Sequence, residues 1–214
     1  MIAMDEIKNI IFDFGVVIIN IDPAAVRKRM AEKGIHNVEE LHARLLKDNI
    51  YHKLETGAIR SEEFRAAIKS IVGMPLSDAD IDDAWNAMIL DIPRERIKFM
   101  TRLKSKYKLY LLSNTNAIHW EYYDRYFQCT YDYPSLSTFF TRAWYSYLMG
   151  VRKPDPEIYR MVLEEGHLKS SETVFIDDLR ENVDAAAHLG IIPCHLPEGK
   201  EIMDLFDDDL ELIR

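Results

Sequence analysis

Apolar residues fall along this chain in two kinds of pattern. Short, mainly apolar runs lie at Ile7–Phe12, Lys108–Leu112, Thr173–Ile176 and Ile191–Leu196, each rich in Ile, Val, Leu or aromatic side chains. Runs of that length read as strands buried on both faces, and a further strand is expected over Arg142–Tyr147. Helical patterns follow several of these runs. Buried strands alternating with helices predict an α/β fold, a Rossmann-like parallel sheet core with helices on both faces.

The first gap breaks the alternation, because no strand pattern occurs between residues 13 and 107. "DPAAVRKRMAEKG" opens with Asp22 as N-cap and Pro23 at the first helical position, and Gly34 stops it. "SEEFRAAIKSIVG" repeats that logic with Ser61 as cap and Gly73 as stop. "SDADIDDAWNAMIL" is a third such helix, ending before Pro93. Residues 20–92 therefore read as a small helical cap inserted after the first strand. The core is expected over 1–19 and 93–214, with a helix at Arg94–Lys106 leading back to the sheet.

Composition narrows the function classes. A chain of 214 residues with 48% hydrophobic and 29% charged residues has the makings of a sizeable core. Its formal net charge of -9 argues against a nucleic-acid partner, which needs a basic face. The two cysteines, Cys129 and Cys194, stand in no metal-ligand spacing and are expected as buried thiols in a reducing compartment. No signal-peptide pattern opens the sequence, and no apolar run reaches the roughly 18 residues of a membrane span, so a cytoplasmic location is expected.

One apolar run carries a carboxylate: "NIIFDFGVVI" places Asp13 at its strand end and Gly15 two residues on. The kinase Asp-Phe-Gly triplet is excluded by position, since a glycine-rich loop, a lysine strand and a catalytic loop must all precede it. In a parallel sheet the C-terminal strand ends converge on one crevice. They bring Asp13 and Gly15 together with Ser113 and Asn114 and with Asp177 and Asp178, while "GVRKPDPEIY" supplies Lys153. Three carboxylates so placed repel one another unless a hard cation sits among them. A lysine, a hydroxyl and helix-terminal N–H groups beside that cation make a site for a phosphate dianion. Asp13, facing both, is placed as a nucleophile that forms an aspartyl-phosphate. Taken singly, Asp13 and Asp177–Asp178 also read as helix caps, and Lys153 as a solvated charge.

Four motifs in order carry a resemblance: "FDFGVV", "LLSNTN", "GVRKPDPEIY" and "VFIDDLRENVDAAAHLG". Over essentially its whole length the chain resembles the haloacid dehalogenase-like (HAD) hydrolases, in the subfamily with a helical cap after the first strand. "FDFGVVIINID" and "YHKLETGAIRSEEF" bring it nearest to the sugar-phosphate phosphatases typified by α-glucose-1-phosphate phosphatase. The resemblance implies Asp13 as nucleophile and Mg²⁺ ligand, with the Gly15 carbonyl and Asp178 as the other protein ligands. It implies Ser113 and the Asn114 N–H as phosphoryl donors, Lys153 as their counter-charge, and Asp177 and Asn182 as supports behind the metal ligands.

Gly15 is the main departure. Most phosphatases of the family carry an aspartate there as general acid and base, whose loss costs about 10²- to 10⁴-fold in rate. A more acidic leaving oxygen lessens that cost, so Gly15 points to an anomeric phosphate as substrate. It also leaves a second reading open, a weakened member that binds a phosphometabolite or a protein partner. Dehalogenation does not need the paired acids, and a phosphomutase needs the acid at position 15. Two cap residues, His52 and Glu55, are candidates for substrate contact, while Trp85 is expected between cap helices. The segment Trp120–Tyr147 holds twelve of the 23 aromatic residues and is read as covering a sheet edge rather than as a partner surface. "DLFDDDLELIR" is expected as a solvated terminal helix.

Overall fold

The computed structural model describes residues 7–131 and 133–213. Five strands, β1 (Asn9–Phe12), β2 (Lys108–Ser113), β3 (Arg142–Tyr145), β4 (Thr173–Asp177) and β5 (Ile192–His195), form one sheet in the order β3-β2-β1-β4-β5. All four pairings are parallel. Alternate residues feed two cores. Ile10, Phe12, Leu109, Leu111, Val174 and Ile176 face one, while Ile11, Tyr110, Leu112 and Phe175 face the other. Burial on both faces is why these strands read as mainly apolar runs.

Six helices lie between β1 and β2, and the first five make up the insert: α1 (Pro23–Glu32), α2 (Val38–Lys47), α3 (Ile50–Glu55), α4 (Ser61–Val72) and α5 (Asp78–Asn86). Asp22 caps α1 as expected, its side chain accepting from the Ala24 N–H at 2.9 Å. Ser77 likewise caps α5 through the Asp80 N–H. Ser61 is no cap, however: it is the first helical residue, and Glu63 reaches back to the Arg60 N–H at 2.9 Å. The helices α2 and α3 carried no recognisable start. Asn37 makes no side-chain capping bond, and Asn49 enters α3 from a left-handed conformation. The insert has its own core of residues such as Met30, Leu45, Phe64 and Ile81, joined by Ile118 from the following part of the chain.

The chain enters and leaves this insert side by side. Asn20 N–H donates to Asp91 O, Leu90 N–H to Asn20 O and Asp22 N–H to Met88 O, at 2.8–3.0 Å. A second approach lies at Gly57, whose positive φ and closeness to the Tyr147 carbonyl exclude a side chain: a Cβ there would come within 2.2 Å of that oxygen.

The remaining helices, α6 (Arg94–Leu103), α7 (Ala117–Thr130), α8 (Ser146–Met149), α9 (Pro156–Gly166) and α10 (Arg180–Ala187), surround the sheet. The aromatic-dense segment is mostly core, with Tyr123, Phe127, Tyr131, Phe139, Phe140 and Trp144 buried. The acidic end is not a helix. A short 3₁₀ turn at Ile202–Leu205 leads to a bridge between Phe206 and Leu212, and Asp207 accepts from the backbone of Asp209 and Glu211. Aspartates that bond their own backbone favour such turns over helix. Cys194 is buried, but Cys129 is exposed, contrary to expectation. No helix among the described residues is long and apolar enough to cross a membrane.

Candidate active site

Sheet register sets the site. Phe12 lies level with Leu111 on one side and Ile176 on the other, so the next residues carry Asp13 and Asp177 out at the same height. The Asp13 N–H donates to the Ile176 carbonyl at 2.8 Å, which holds the strand end in line. Asp13, Asp177 and Asp178 present carboxylate oxygens that all lie within 4.8 Å of one another.

Lys153 joins the first two. Its ammonium donates to Asp13 Oδ1 at 2.5 Å and to Asp177 Oδ2 at 2.7 Å, and the side chain is 1% exposed. The loop before α9 is fixed by a doubled bond: Asn114 Nδ2 donates to the Lys153 carbonyl, and the Lys153 N–H to Asn114 Oδ1, both at 2.9 Å. Asp177 is fully occupied, accepting from Lys153, from the Leu179 N–H at 2.8 Å and from Asn182 Nδ2 at 3.0 Å on both oxygens. Asp178 is different. It is half-buried, and no side-chain donor among the described residues bonds its carboxylate. Its backbone carbonyl is instead paired with His195 Nε2 at 2.9 Å.

The electrostatics follow. Burial raises the Asp13 pKa to about 6; Lys153 opposes that rise and Asp177 adds to it. Burial, then Asp177, raises Asp178. Lys153 stands above its ordinary value because the two carboxylates outweigh its desolvation. One buried cation thus serves three clustered carboxylates, and the surplus negative charge on hard oxygen donors fits Mg²⁺.

Gly15 sits beside this cluster without conformational need for glycine. An added Cβ would meet only Ile21 Cδ1 at 3.5 Å and Asp13 Oδ2 at 4.0 Å, ordinary contacts at an ordinary φ. Its carbonyl accepts from the Val17 N–H at 2.5 Å, and Val16 between them has a positive φ of 62°. That loop is braced by Arg96, a buried residue absent from the sequence reading. Arg96 Nη1 donates to the Val16 and Ile18 carbonyls at 3.1 Å each, and the guanidinium forks onto Glu201 at 2.6 and 3.0 Å.

Among the described residues neither cap candidate bonds the carboxylate cluster. His52 is exposed on α3. Glu55 forms an ion pair with Arg152 Nη1 at 2.6 Å, tying the insert to the residue before Lys153. A histidine that was not singled out, His119 on α7, lines a cavity together with Gly15, Ser113 and Asn114. Trp85 stacks on it at 5.0 Å and on Tyr51 at 5.4 Å, so it does pack within the insert but also reaches the core.

A sequence profile of the haloacid dehalogenase-like hydrolases matches residues 7–190. The chain belongs to that family. It is 29% identical over 190 residues to D-ribitol-5-phosphate phosphatase of Bacteroides thetaiotaomicron, covering 86% of this chain and 89% of the other. It is 25% identical over 193 residues to the sesquiterpene phosphatase astK of Aspergillus oryzae, covering 90% and 91%. Among solved structures, the HAD family enzyme bt-2542 of B. thetaiotaomicron superimposes with a TM-score of 0.90 at 35% identity, over 95% of this chain and all of the other. The wild-type bt-2542 complex with magnesium and inorganic phosphate gives a TM-score of 0.84 at 36% identity, over 94% and 100%. The fold and the hydrolase family expected from the four motifs therefore stand, and the carboxylate cluster suits the ion bound in that relative.

Proposed function

We propose that the protein is a Mg²⁺-dependent phosphomonoesterase acting through an aspartyl-phosphate on Asp13, with a small neutral sugar or sugar-alcohol phosphate as substrate. The observation that carries this is the Asp13–Lys153–Asp177 bridge with the uncommitted Asp178 carboxylate beside it. Asp13, the Gly15 carbonyl and Asp178 would hold the ion, which when bound offsets carboxylate repulsion and draws charge from the phosphoryl oxygens. Ser113, the Asn114 N–H and Lys153 would bind those oxygens. Asp177 and Asn182 would keep Lys153 and the metal-side carboxylates oriented.

Asp13 Oδ1 is held by Lys153, which leaves Oδ2, on the Gly15 side, to attack phosphorus. The phosphoryl group passes to Asp13 as the ester oxygen departs with its electron pair. Water then attacks phosphorus and frees Asp13 and inorganic phosphate. No carboxyl at position 15 protonates the departing oxygen, so the rate should rise with leaving-group acidity. The expected result is that sugar 1-phosphates, whose anomeric oxygen leaves more readily, turn over at least tenfold faster than 6-phosphates of the same sugars. Since position 15 has room, Gly15→Asp should narrow that ratio. The check is phosphate release from paired 1- and 6-phosphates with Mg²⁺, with and without chelator. Absence of chelator-sensitive release on every ester would overturn the enzymatic reading, and equal kcat values within pairs would overturn the role of Gly15.

A further inference from the structure

A cavity of about 100 Å³ opens beside the catalytic cluster. One end is formed by Gly15, Ser113, Asn114 and Thr115, the residues placed at the phosphate. The walls come from Phe14, Ile19, Ile21, Met88, Ile89, Trp120 and Tyr123, and no charged side chain among the described residues lines it. A Cβ at Gly15 would lie 4.0 Å from Asp13 Oδ2, so this space borders the reacting carboxylate.

His119 and Tyr123 carry polar groups along these walls, and the His119 side chain is held from two directions and its backbone from a third. Trp85 stacks on the His119 ring at 5.0 Å and 11°, the His119 backbone N–H donates to Asn116 Oδ1 at 3.1 Å, and its Nδ1 meets Asn86 Oδ1 at 2.9 Å. An amide oxygen only accepts, so Nδ1 carries the proton and Nε2 keeps its lone pair. Burial lowers the pKa to about 3, which keeps the ring neutral. Nε2 has no protein partner among the described residues. The groups that fix the ring are a buried asparagine and a tryptophan from α5, not the surface charges of the insert.

We propose that this cavity receives the carbon skeleton of the ester's alcohol, that this alcohol is sparsely hydroxylated, and that one of its hydroxyls donates to His119 Nε2. The inference rests on the phosphomonoesterase reading and narrows its substrate class to deoxy-type sugar phosphates. The Tyr123 hydroxyl, without a hydrogen-bond partner among the described residues, can pair with a second hydroxyl, but the aliphatic and aromatic carbons of the remaining wall leave a third one unpaired, which is disfavoured. His119 also cannot serve as the missing acid, because a neutral ring protonated at Nδ1 has no proton to give at Nε2.

The test is kcat/KM with Mg²⁺ for 2-deoxyribose 5-phosphate, ribose 5-phosphate and pentyl phosphate, with p-nitrophenyl phosphate as control, on wild type and His119→Phe. Phenylalanine keeps a ring for Trp85 and removes the acceptor. Wild type should favour the deoxy sugar phosphate over ribose 5-phosphate by at least tenfold. His119→Phe should lower the deoxy substrate at least tenfold and leave pentyl phosphate within about threefold of wild type. A wild-type enzyme that prefers ribose 5-phosphate, or a variant that loses all substrates alike, overturns the inference. The wild-type ranking decides even if the variant does not fold, and His119→Gln, which retains an acceptor, should recover part of the deoxy preference. No release from any ester, the control included, overturns the phosphatase reading itself and this inference with it.

Discussion

Asp13→Asn should abolish turnover, by at least roughly 10⁴-fold in kcat, while the protein stays folded. The change is nearly isosteric and removes the attacking oxygen's charge. Lys153 retains Asp177 as partner at 2.7 Å, so the buried cation is not stranded. The Asp13 N–H bond to Ile176 is untouched, because it belongs to the backbone. Steady-state phosphate release and a thermal melt on the same preparation check both halves. Activity within tenfold of wild type would remove Asp13 as nucleophile, whatever the melt shows.

Lys153→Met should cost stability as well as activity. Among the described residues the ammonium is the one cation shared by Asp13 and Asp177, and it also lies 5.2 Å from the Phe175 ring. Deleting one partner of a buried charge cluster costs about 3–5 kcal/mol, since the remaining charges lose their compensation. In a protein of this size that corresponds to a fall in Tm of roughly 10 °C or more. Lys153 is also what holds the Asp13 pKa down against burial, so its loss leaves more of the nucleophile protonated at neutral pH. A kcat loss of at least 10³-fold is expected, about what removing a preorganised oxyanion donor costs. A metal-free melt unchanged within 2 °C would show that the Lys153 bridge does not stabilise the fold.

The sheet and most of the site were legible for one physical reason. Strands buried on both faces leave mainly apolar runs, and the polar residues ending them mark the crevice. Asp13, Ser113, Asp177 and Asp178 each follow or close such a run, and Lys153 is announced by the Pro-initiated helix behind it. What was not legible depends on partners distant in sequence. Arg96 sits in the charged stretch "RERIK" and looks solvated, yet its partners are Glu201 and the carbonyls of Val16 and Ile18. His119 was lost among aromatics. Its one local signal is a place in the first turn after the Asn116 cap, and the Asn86 that fixes its tautomer lies in the insert. The helices α2 and α3 were missed because neither has a side-chain cap bond.

Transfer of the phosphoryl group to Asp13 is tested most directly by trapping that species. The wild-type protein, mixed with Mg²⁺ and ³²P-labelled substrate and quenched in acid within the first turnovers, should carry label on a peptide containing Asp13. The label should be released by hydroxylamine, as an acyl phosphate is, and should be absent when a chelator is present. Label on another residue, or steady chelator-sensitive phosphate release with no labelled enzyme at any quench time, would contradict it.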